Sequence, residues 1–122
     1  MGVLGVNHIA FRSANVRRLR KFYEELLDAE SLDGDHQPLR AGAVLLVFFE
    51  SSSNAISEDP DEIAFDVDEA GYAETLANAR HLGALRGDPV DHTAWSRGFV
   101  VQDPDGRRIE ITYEDRAVFW RS

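Results

Sequence analysis

Two similar pentapeptides carry the side chains in this sequence that are best suited to chemistry. Residues 7–11 read NHIAF and residues 61–65 read DEIAF, so that His8 in the first corresponds to Glu62 in the second. Imidazole and carboxylate groups are the metal donors left to a chain without cysteine, and they suit borderline-to-hard divalent ions. The pair raises the question of whether one module is used twice, with its chemistry changed between the copies.

Length and composition indicate one compact domain over residues 1–122. Hydrophobic residues make up 43% of the chain and charged residues 29%, which is typical of a folded protein with a buried core. The sequence has no apolar run of transmembrane length and no signal-peptide pattern, so a cytoplasmic location without a membrane partner is expected. The net charge of −9 argues against nucleic acid as a partner. It would attract a cationic ligand, or it serves only to keep the protein soluble.

Hydrophobic spacing predicts the same order of elements in both halves of the chain. In the first half we predict a strand over 3–13, a helix over 15–27 and strands over 36–41 and 43–50. In the second half we predict a strand over 61–67, a helix over 69–82 and strands over 97–102 and 107–114. The polar segment 51–60 is a linker between the halves, and residues 115–122 form a tail.

Capping and turn residues support these boundaries. Ser13 or Asn15 is expected to cap the first helix, and Asp68 the second. Asp28 follows the first helix at a position where it would adopt a left-handed conformation. Gly83 fits the end of the second helix. The sequence DPDG at 103–106 fits a type I turn between the last two strands.

The two halves are interpreted as copies of one module, over residues 3–50 and 61–114. The tripeptide Leu-Asp-Ala at 27–29 matches Leu-Gly-Ala at 82–84, at nearly the spacing that separates the two pentapeptides. Each copy is small for a stable domain, so we expect the copies to pair. The extra residues of the second copy, which include His92 and Trp95, are predicted to form an inserted loop. His92 there either contacts a substrate at the rim of a site or is simply exposed to solvent.

These motifs resemble the vicinal oxygen chelate superfamily, which includes glyoxalase I, extradiol dioxygenases, fosfomycin-resistance proteins, methylmalonyl-CoA epimerase and bleomycin-resistance proteins. The resemblance rests on NHIAF with FYEELLDAE after it, on DEIAFDV and on FVVQDPDGRRIEI, and it covers residues 3–114. It implies an α+β fold of two βαβββ modules that curl into a half-open barrel. It also implies a divalent metal that chelates adjacent oxygens of a substrate.

Carried over by position, the resemblance assigns His8, Glu62 and Glu110 as metal ligands, and Glu110 would also be catalytic. The carboxylate that some members add from the first module falls on Leu46, so that ligand is missing. One imidazole and two carboxylates suit Mn²⁺, Fe²⁺, Ni²⁺ or Zn²⁺. Two carboxylates would neutralise the ion, which would then acidify a bound water less than an ion with neutral ligands does.

Alternation along the strands places all three candidate ligands on polar faces, opposite the apolar residues that would pack beneath the helices. Leu46 and Phe48 are assigned to the same concave face, where they would give a pocket an apolar wall. The residues expected to line the substrate pocket are Arg12, Leu46, Phe48, Trp95, Arg97 and Thr112.

Three classes of function remain open. The first is a homodimeric, metal-dependent enzyme acting on a small molecule by isomerisation or lyase chemistry, ring-cleaving dioxygenation or epoxide opening. The second is a binding protein without metal that resembles bleomycin-resistance proteins and sequesters a cationic ligand. The third is a regulatory or scaffold domain that keeps only the fold.

Overall fold

In a computed structural model, the chain forms two compact units, Met1–Ala55 and Ile56–Ser122, each of which holds one module. The structure describes residue 2 and residues 6–33, 37–52, 63–93 and 96–115. Glu62, Trp95 and the tail beyond residue 115 therefore lie outside the described residues. Within the described part of the chain, no helix is long and apolar enough to cross a membrane.

The first module is a four-stranded mixed sheet with one helix. Its elements are β1 (His8–Ser13), α1 (Val16–Leu27), β2 (Glu30–Ser31), β3 (Leu39–Ala41) and β4 (Val44–Glu50). The strand order is β1-β4-β3-β2. β1 runs parallel to β4, whereas β3 is antiparallel to both of its neighbours.

The second module repeats this arrangement. Its elements are β5 (Ile63–Val67), α2 (Glu69–His81), β6 (Leu85–Thr93), β7 (Ser96–Gln102) and β8 (Arg108–Glu114). The strand order β5-β8-β7-β6 corresponds strand by strand to that of the first sheet. β5 is parallel to β8, and β7 is antiparallel to both of its neighbours. The shared topology confirms the predicted α+β fold of two βαβββ modules.

The structure contains two strands that the sequence did not predict, the short β2 and the nine-residue β6. β2 has only two residues, both polar, so it leaves no hydrophobic pattern. β6 occupies the segment predicted to be an inserted loop, and this prediction is wrong. Gly87, with a φ of 74°, and Pro89 interrupt its strand pattern. Proline is tolerated there because β6 is an edge strand and its pairing with β7 shifts register on either side of Val90–Asp91.

The helix ends lie close to the predicted positions. Asn15 caps α1, because its side-chain oxygen accepts a hydrogen bond of 3.1 Å from the backbone N–H of Arg18. Asp68 caps α2 in the same way, with a bond of 2.7 Å from Gly71. Gly83 follows α2 with a φ of 65°, as expected for a residue that ends a helix.

Asp28 ends α1 in the left-handed conformation, with φ 50° and ψ 44°. A side chain is disfavoured there, and glycine is not. We expect Asp28→Gly to raise the free energy of unfolding by about 0.5 kcal/mol and Asp28→Ala to lower it by a similar amount. Urea denaturation measures both changes. Asp33→Gly is the control, because Asp33 has no positive φ. A loss of stability in Asp28→Gly would contradict the prediction.

Each sheet packs its core against its own helix. In the first module, the ring of Phe11 stacks on Tyr23 of α1 at 4.8 Å and on Phe48 of β4 at 5.5 Å between centroids. In the second, Tyr72 of α2 contacts Phe99 of β7, edge to face, at 5.3 Å. The other face carries His8 and Arg12 in the first sheet, and Glu110 and Thr112 in the second.

Candidate functional site

Glu110 lies in the interior of the second sheet. β8 runs between β5 and β7, and Glu110 is opposite Ala64 on one side and Val100 on the other. Its neighbours Ile109 and Ile111 are buried beneath α2. Because side chains alternate along a strand, Glu110 points to the open face of the sheet, the face that the helix does not cover. Its side chain is 21% exposed.

His92 of β6 reaches the same place from the edge of the sheet. Its Nε2 atom lies 3.6 Å from Oε1 of Glu110. β6 and β7 shift register between Asp91 and Thr93, so His92 sits at a bulge. Bulges often re-aim a side chain beside a functional site. The sequence indicates His92 only as a loop residue at the rim, and its pairing with Glu110 was not predicted.

Gly98 makes this approach possible. It lies on β7, between the strands that carry His92 and Glu110. A Cβ atom at this position would lie 3.2 Å from Oε1 of Glu110, 3.3 Å from Nε2 of His92 and 3.0 Å from the backbone oxygen of Ile111. Such contacts are tighter than van der Waals packing allows without a shift. Glycine therefore leaves the space in which the imidazole and the carboxylate meet.

Thr112 shares the open face with Glu110, two residues further along β8. Its hydroxyl donates a hydrogen bond of 3.3 Å to the backbone oxygen of Phe65. The strand register places Asp66 beside it on β5. The open face of the second sheet therefore carries hydroxyl, carboxylate and imidazole groups close to one another.

From the sequence, Arg97 is assigned to the substrate pocket, but its side chain lies on the face of the second sheet that α2 covers. It pairs with Tyr113 across β7 and β8, and directly paired residues share a face. Its guanidinium carbon lies 4.8 Å from the ring centroid of Tyr72 and 5.2 Å from that of Tyr113. Its Nε atom is buried and has no hydrogen-bond partner within the described part of the chain. Arg97 thus packs between aromatic rings on the α2 side.

The pKa of Tyr72 is affected by this cluster. Burial raises the pKa of its hydroxyl above the ordinary value of 10.0, Arg97 lowers it and Asp91 raises it. As the pH rises, this hydroxyl therefore loses its proton at a lower pH in the unfolded chain than in the folded protein. This contribution to stability is complete below pH 10.0 and is lost as the pH rises through the pKa of the folded state.

We expect Tyr72→Phe to reduce the loss of stability above pH 10.0, because phenylalanine has no proton to release. The measurement is urea denaturation of wild type and variant at several pH values on both sides of 10.0. Tyr113→Phe is the comparison on the other side of the Arg97 side chain. An unchanged slope with pH in Tyr72→Phe would contradict the assignment.

In the first module, His8 and Arg12 lie on the face of the sheet that α1 does not cover. Both are exposed. Nδ1 of His8 is 2.9 Å from the side-chain oxygen of Asn7, and the guanidinium of Arg12 is 5.8 Å from the ring centroid of Phe49. The face expected for both residues is therefore the observed one, whereas their functional roles remain predictions.

Leu46 and Phe48 lie on the α1 side of the first sheet, so their predicted place on the concave face is wrong. Phe48 pairs with Phe11 across the parallel strands, and Leu46 is fully buried. Because paired residues share a face, the positions of β4 between Leu46 and Phe48 and on either side of them belong to the open face of this sheet. The residues at these positions are half-buried and form an apolar wall: Leu45, Val47 and Phe49.

The register also corrects the match between the modules by one residue. Ala10 pairs with Val47 in the first sheet, and its counterpart Ala64 pairs with Glu110 in the second. Val47, and not Leu46, therefore corresponds to Glu110. The turns differ in length, since two residues separate β3 from β4 and five separate β7 from β8, so aligning their glycines shifts the match. A carboxylate is missing at either position.

No group of three metal-binding side chains comes together among the described residues. His92 and Glu110 are two donors that do meet, and Glu62 lies outside the described residues. An open groove of about 860 Å³ lies between α1 and the end of β4, and residues 16–24 of α1 and 48–50 of β4 contribute to its lining. The guanidinium of Arg20 in this groove donates hydrogen bonds to the backbone oxygen of Gln37 and to the hydroxyl of Ser31. These bonds connect α1 to the segment that contains β2 and the start of β3.

The topology of the two modules agrees with the fold that the resemblance to the vicinal oxygen chelate superfamily implies. The model of the glyoxalase-like domain family matches residues 8–112, and the chain therefore belongs to this family. No curated protein shows a significant match to the sequence.

Solved structures share the fold along most of the chain. The fosfomycin resistance protein FosX of Listeria monocytogenes is 16% identical with a TM-score of 0.77, over 93% of this chain and 95% of that one. FosX of Mesorhizobium loti is 18% identical with a TM-score of 0.74, over 97% and 98%. The oxidase ChaP-H2 is 24% identical with a TM-score of 0.76, over 94% and 96%. At these identities the likeness shows the fold alone.

Proposed function

We propose that the chain is a small-molecule enzyme of the glyoxalase or dioxygenase type, which uses a divalent metal to chelate vicinal oxygens of its substrate. The position of Glu110 carries the proposal. A carboxylate in the interior of a sheet, between Ala64 and Val100, is partly buried, and this partial burial costs solvation. Such a placement favours a ligand-binding role.

The donor chemistry of the site fits a metal of this kind. The resemblance assigns His8, Glu62 and Glu110 as ligands, and these imidazole and carboxylate groups suit Mn²⁺, Fe²⁺, Ni²⁺ or Zn²⁺. The bound ion would act as a Lewis acid that stabilises negative charge on the substrate oxygens. Glu110 would hold the ion, and Thr112, two residues further along β8 on the same face, would face the substrate.

The names of the similar structures provide candidate reactions, although the likeness itself shows only the fold. Two of them are named fosfomycin resistance proteins and one an oxidase, and we propose these activities for this chain as candidates to be assayed. Glyoxalase-like isomerisation is supported by the family match.

A second function is favoured by the charge of the chain. With a net charge of −9, the protein would suit a cationic ligand held without metal. This is the bleomycin-resistance-like alternative, in which the protein sequesters a cationic ligand.

Metal titration distinguishes the proposed enzyme from the proposed sequestering protein. The purified protein is treated with a chelator, dialysed and titrated with Mn²⁺, Fe²⁺, Ni²⁺ and Zn²⁺ by calorimetry, under anaerobic conditions for Fe²⁺. We expect one divalent ion per chain, and metal-dependent turnover in an assay of hemithioacetal isomerisation, catechol ring cleavage or epoxide opening. Failure to bind any of the four ions, with binding of bleomycin instead, would replace the enzyme by the sequestering protein.

We further propose that the protein is a homodimer. The resemblance supports this, and so does the edge strand β6, where Val90 is 54% exposed. Sedimentation velocity at micromolar concentration is the measurement, and a single species with the mass of one chain would contradict the proposal.

A further inference from the structure

We infer that His92 is a metal ligand together with Glu110, and that its imidazole takes the role of the histidine that the sequence lacks at position 62. This inference rests on the proposed metal-dependent function and adds a ligand to it. The first pentapeptide has histidine where the second has Glu62, so the second module has no imidazole at the matching position. His92 brings an imidazole to the second sheet from another strand.

The separation of the two donor atoms fits binding to one ion. Nε2 of His92 and Oε1 of Glu110 are 3.6 Å apart. Two ligands that bind a tetrahedral metal at about 2.1 Å lie about 3.4 Å from each other. The observed separation is only slightly larger than this, and it exceeds that of a good hydrogen bond between nitrogen and oxygen. A small rotation of the exposed imidazole would bring both atoms to the distance that an ion requires.

A simple surface ion pair explains the arrangement less well. The imidazole is 47% exposed, and exposed ion pairs contribute little to stability. The fold nevertheless brings this pair together with a bulge in β6 and a glycine on β7. Glycine within a strand weakens the sheet, and it often marks a close approach of other groups. These features are expected where two side chains must converge on a ligand.

A site with His92 as a ligand should discriminate between metals. Imidazole suits Ni²⁺ and Zn²⁺, whereas carboxylate and water suit Mn²⁺. The site should therefore favour Ni²⁺ and Zn²⁺ over Mn²⁺ more strongly than the carboxylates alone would. If the ion is six-coordinate, the positions that the protein ligands leave open would accept the adjacent oxygens of the substrate.

The test compares His92→Ala with wild type and with His81→Ala. His81 is an exposed histidine at the end of α2 and serves as the matched control. We expect His92→Ala to weaken Ni²⁺ and Zn²⁺ binding at least about tenfold in calorimetric titrations, with a smaller effect on Mn²⁺. His81→Ala should bind all three ions as wild type does. Unfolding in urea confirms that each variant is folded.

The outcomes distinguish this inference from the proposed function. If wild type binds one ion per chain and His92→Ala binds Ni²⁺ equally well, His92 is not a ligand and the metal-dependent function stands. If wild type binds none of the ions, the proposed function fails and this inference fails with it. If both histidine variants lose affinity equally, the effect is not specific to His92 and the inference is overturned.

Discussion

Replacement of Glu110 by glutamine is expected to weaken divalent-metal binding by about 100-fold, which corresponds to about 2.7 kcal/mol. The amide has nearly the shape of the carboxylate, so glutamine fits the interior of the sheet and the fold is retained. The negative charge is lost, however, and an amide oxygen is a much weaker ligand for Mn²⁺, Fe²⁺, Ni²⁺ and Zn²⁺. Turnover by the metal-loaded enzyme should fall with metal occupancy.

Glu114→Gln is the matched control for this prediction. Glu114 lies on the same strand and the same face, but at the end of β8, where it pairs with Ser96. The same change of charge is thus made outside the pair formed by His92 and Glu110. Calorimetric titration of both variants with Ni²⁺ and Mn²⁺ is the measurement. Equal affinities in Glu110→Gln and wild type would remove Glu110 from the metal site.

Local signals were sufficient to predict most of the fold. The caps at Asn15 and Asp68 act within four residues, and the helical spacing of apolar residues is also local. The similarity of the two pentapeptides then revealed the duplication, which the shared strand order confirms. β6 was missed because Gly87 and Pro89 break the pattern of a strand, and only pairing with β7 holds that segment extended.

The open face was predicted correctly for β8, in which polar and apolar residues alternate, and incorrectly for β4, in which they do not. In β8, the isoleucines on either side of Glu110 define the two faces without ambiguity. In β4, the run VLLVFF is apolar at every position, so no local pattern shows which side chains face the helix. A shift of one residue then reverses both faces. Pairing with β1 sets the register there, and pairing is a long-range property.

The meeting of His92 with Glu110 is a further property that the sequence does not reveal. These residues belong to strands that are not direct neighbours, and β7 lies between them. Their contact depends on Gly98 and on a register shift, neither of which leaves a periodic signal. The histidine itself is visible in the sequence, but its partner is not.

The register of β4 leads to a prediction about adjacent phenylalanines. Phe48 is 2% exposed and lies 5.5 Å from Phe11 and 6.1 Å from Tyr23 between ring centroids. We expect Phe48→Ala to lower the free energy of unfolding by about 3–5 kcal/mol, because it leaves a cavity in an aromatic core. This is a large part of the stability of about 5–15 kcal/mol that is usual for a domain. Urea denaturation is the measurement.

Phe49→Ala is the matched control, since it removes the same side chain from the next position of the strand. Phe49 is half-buried on the open face, beside Arg12, so its removal should cost only about 1 kcal/mol. Equal losses of stability in the two variants, or a larger loss in Phe49→Ala, would show that the faces of β4 are assigned incorrectly.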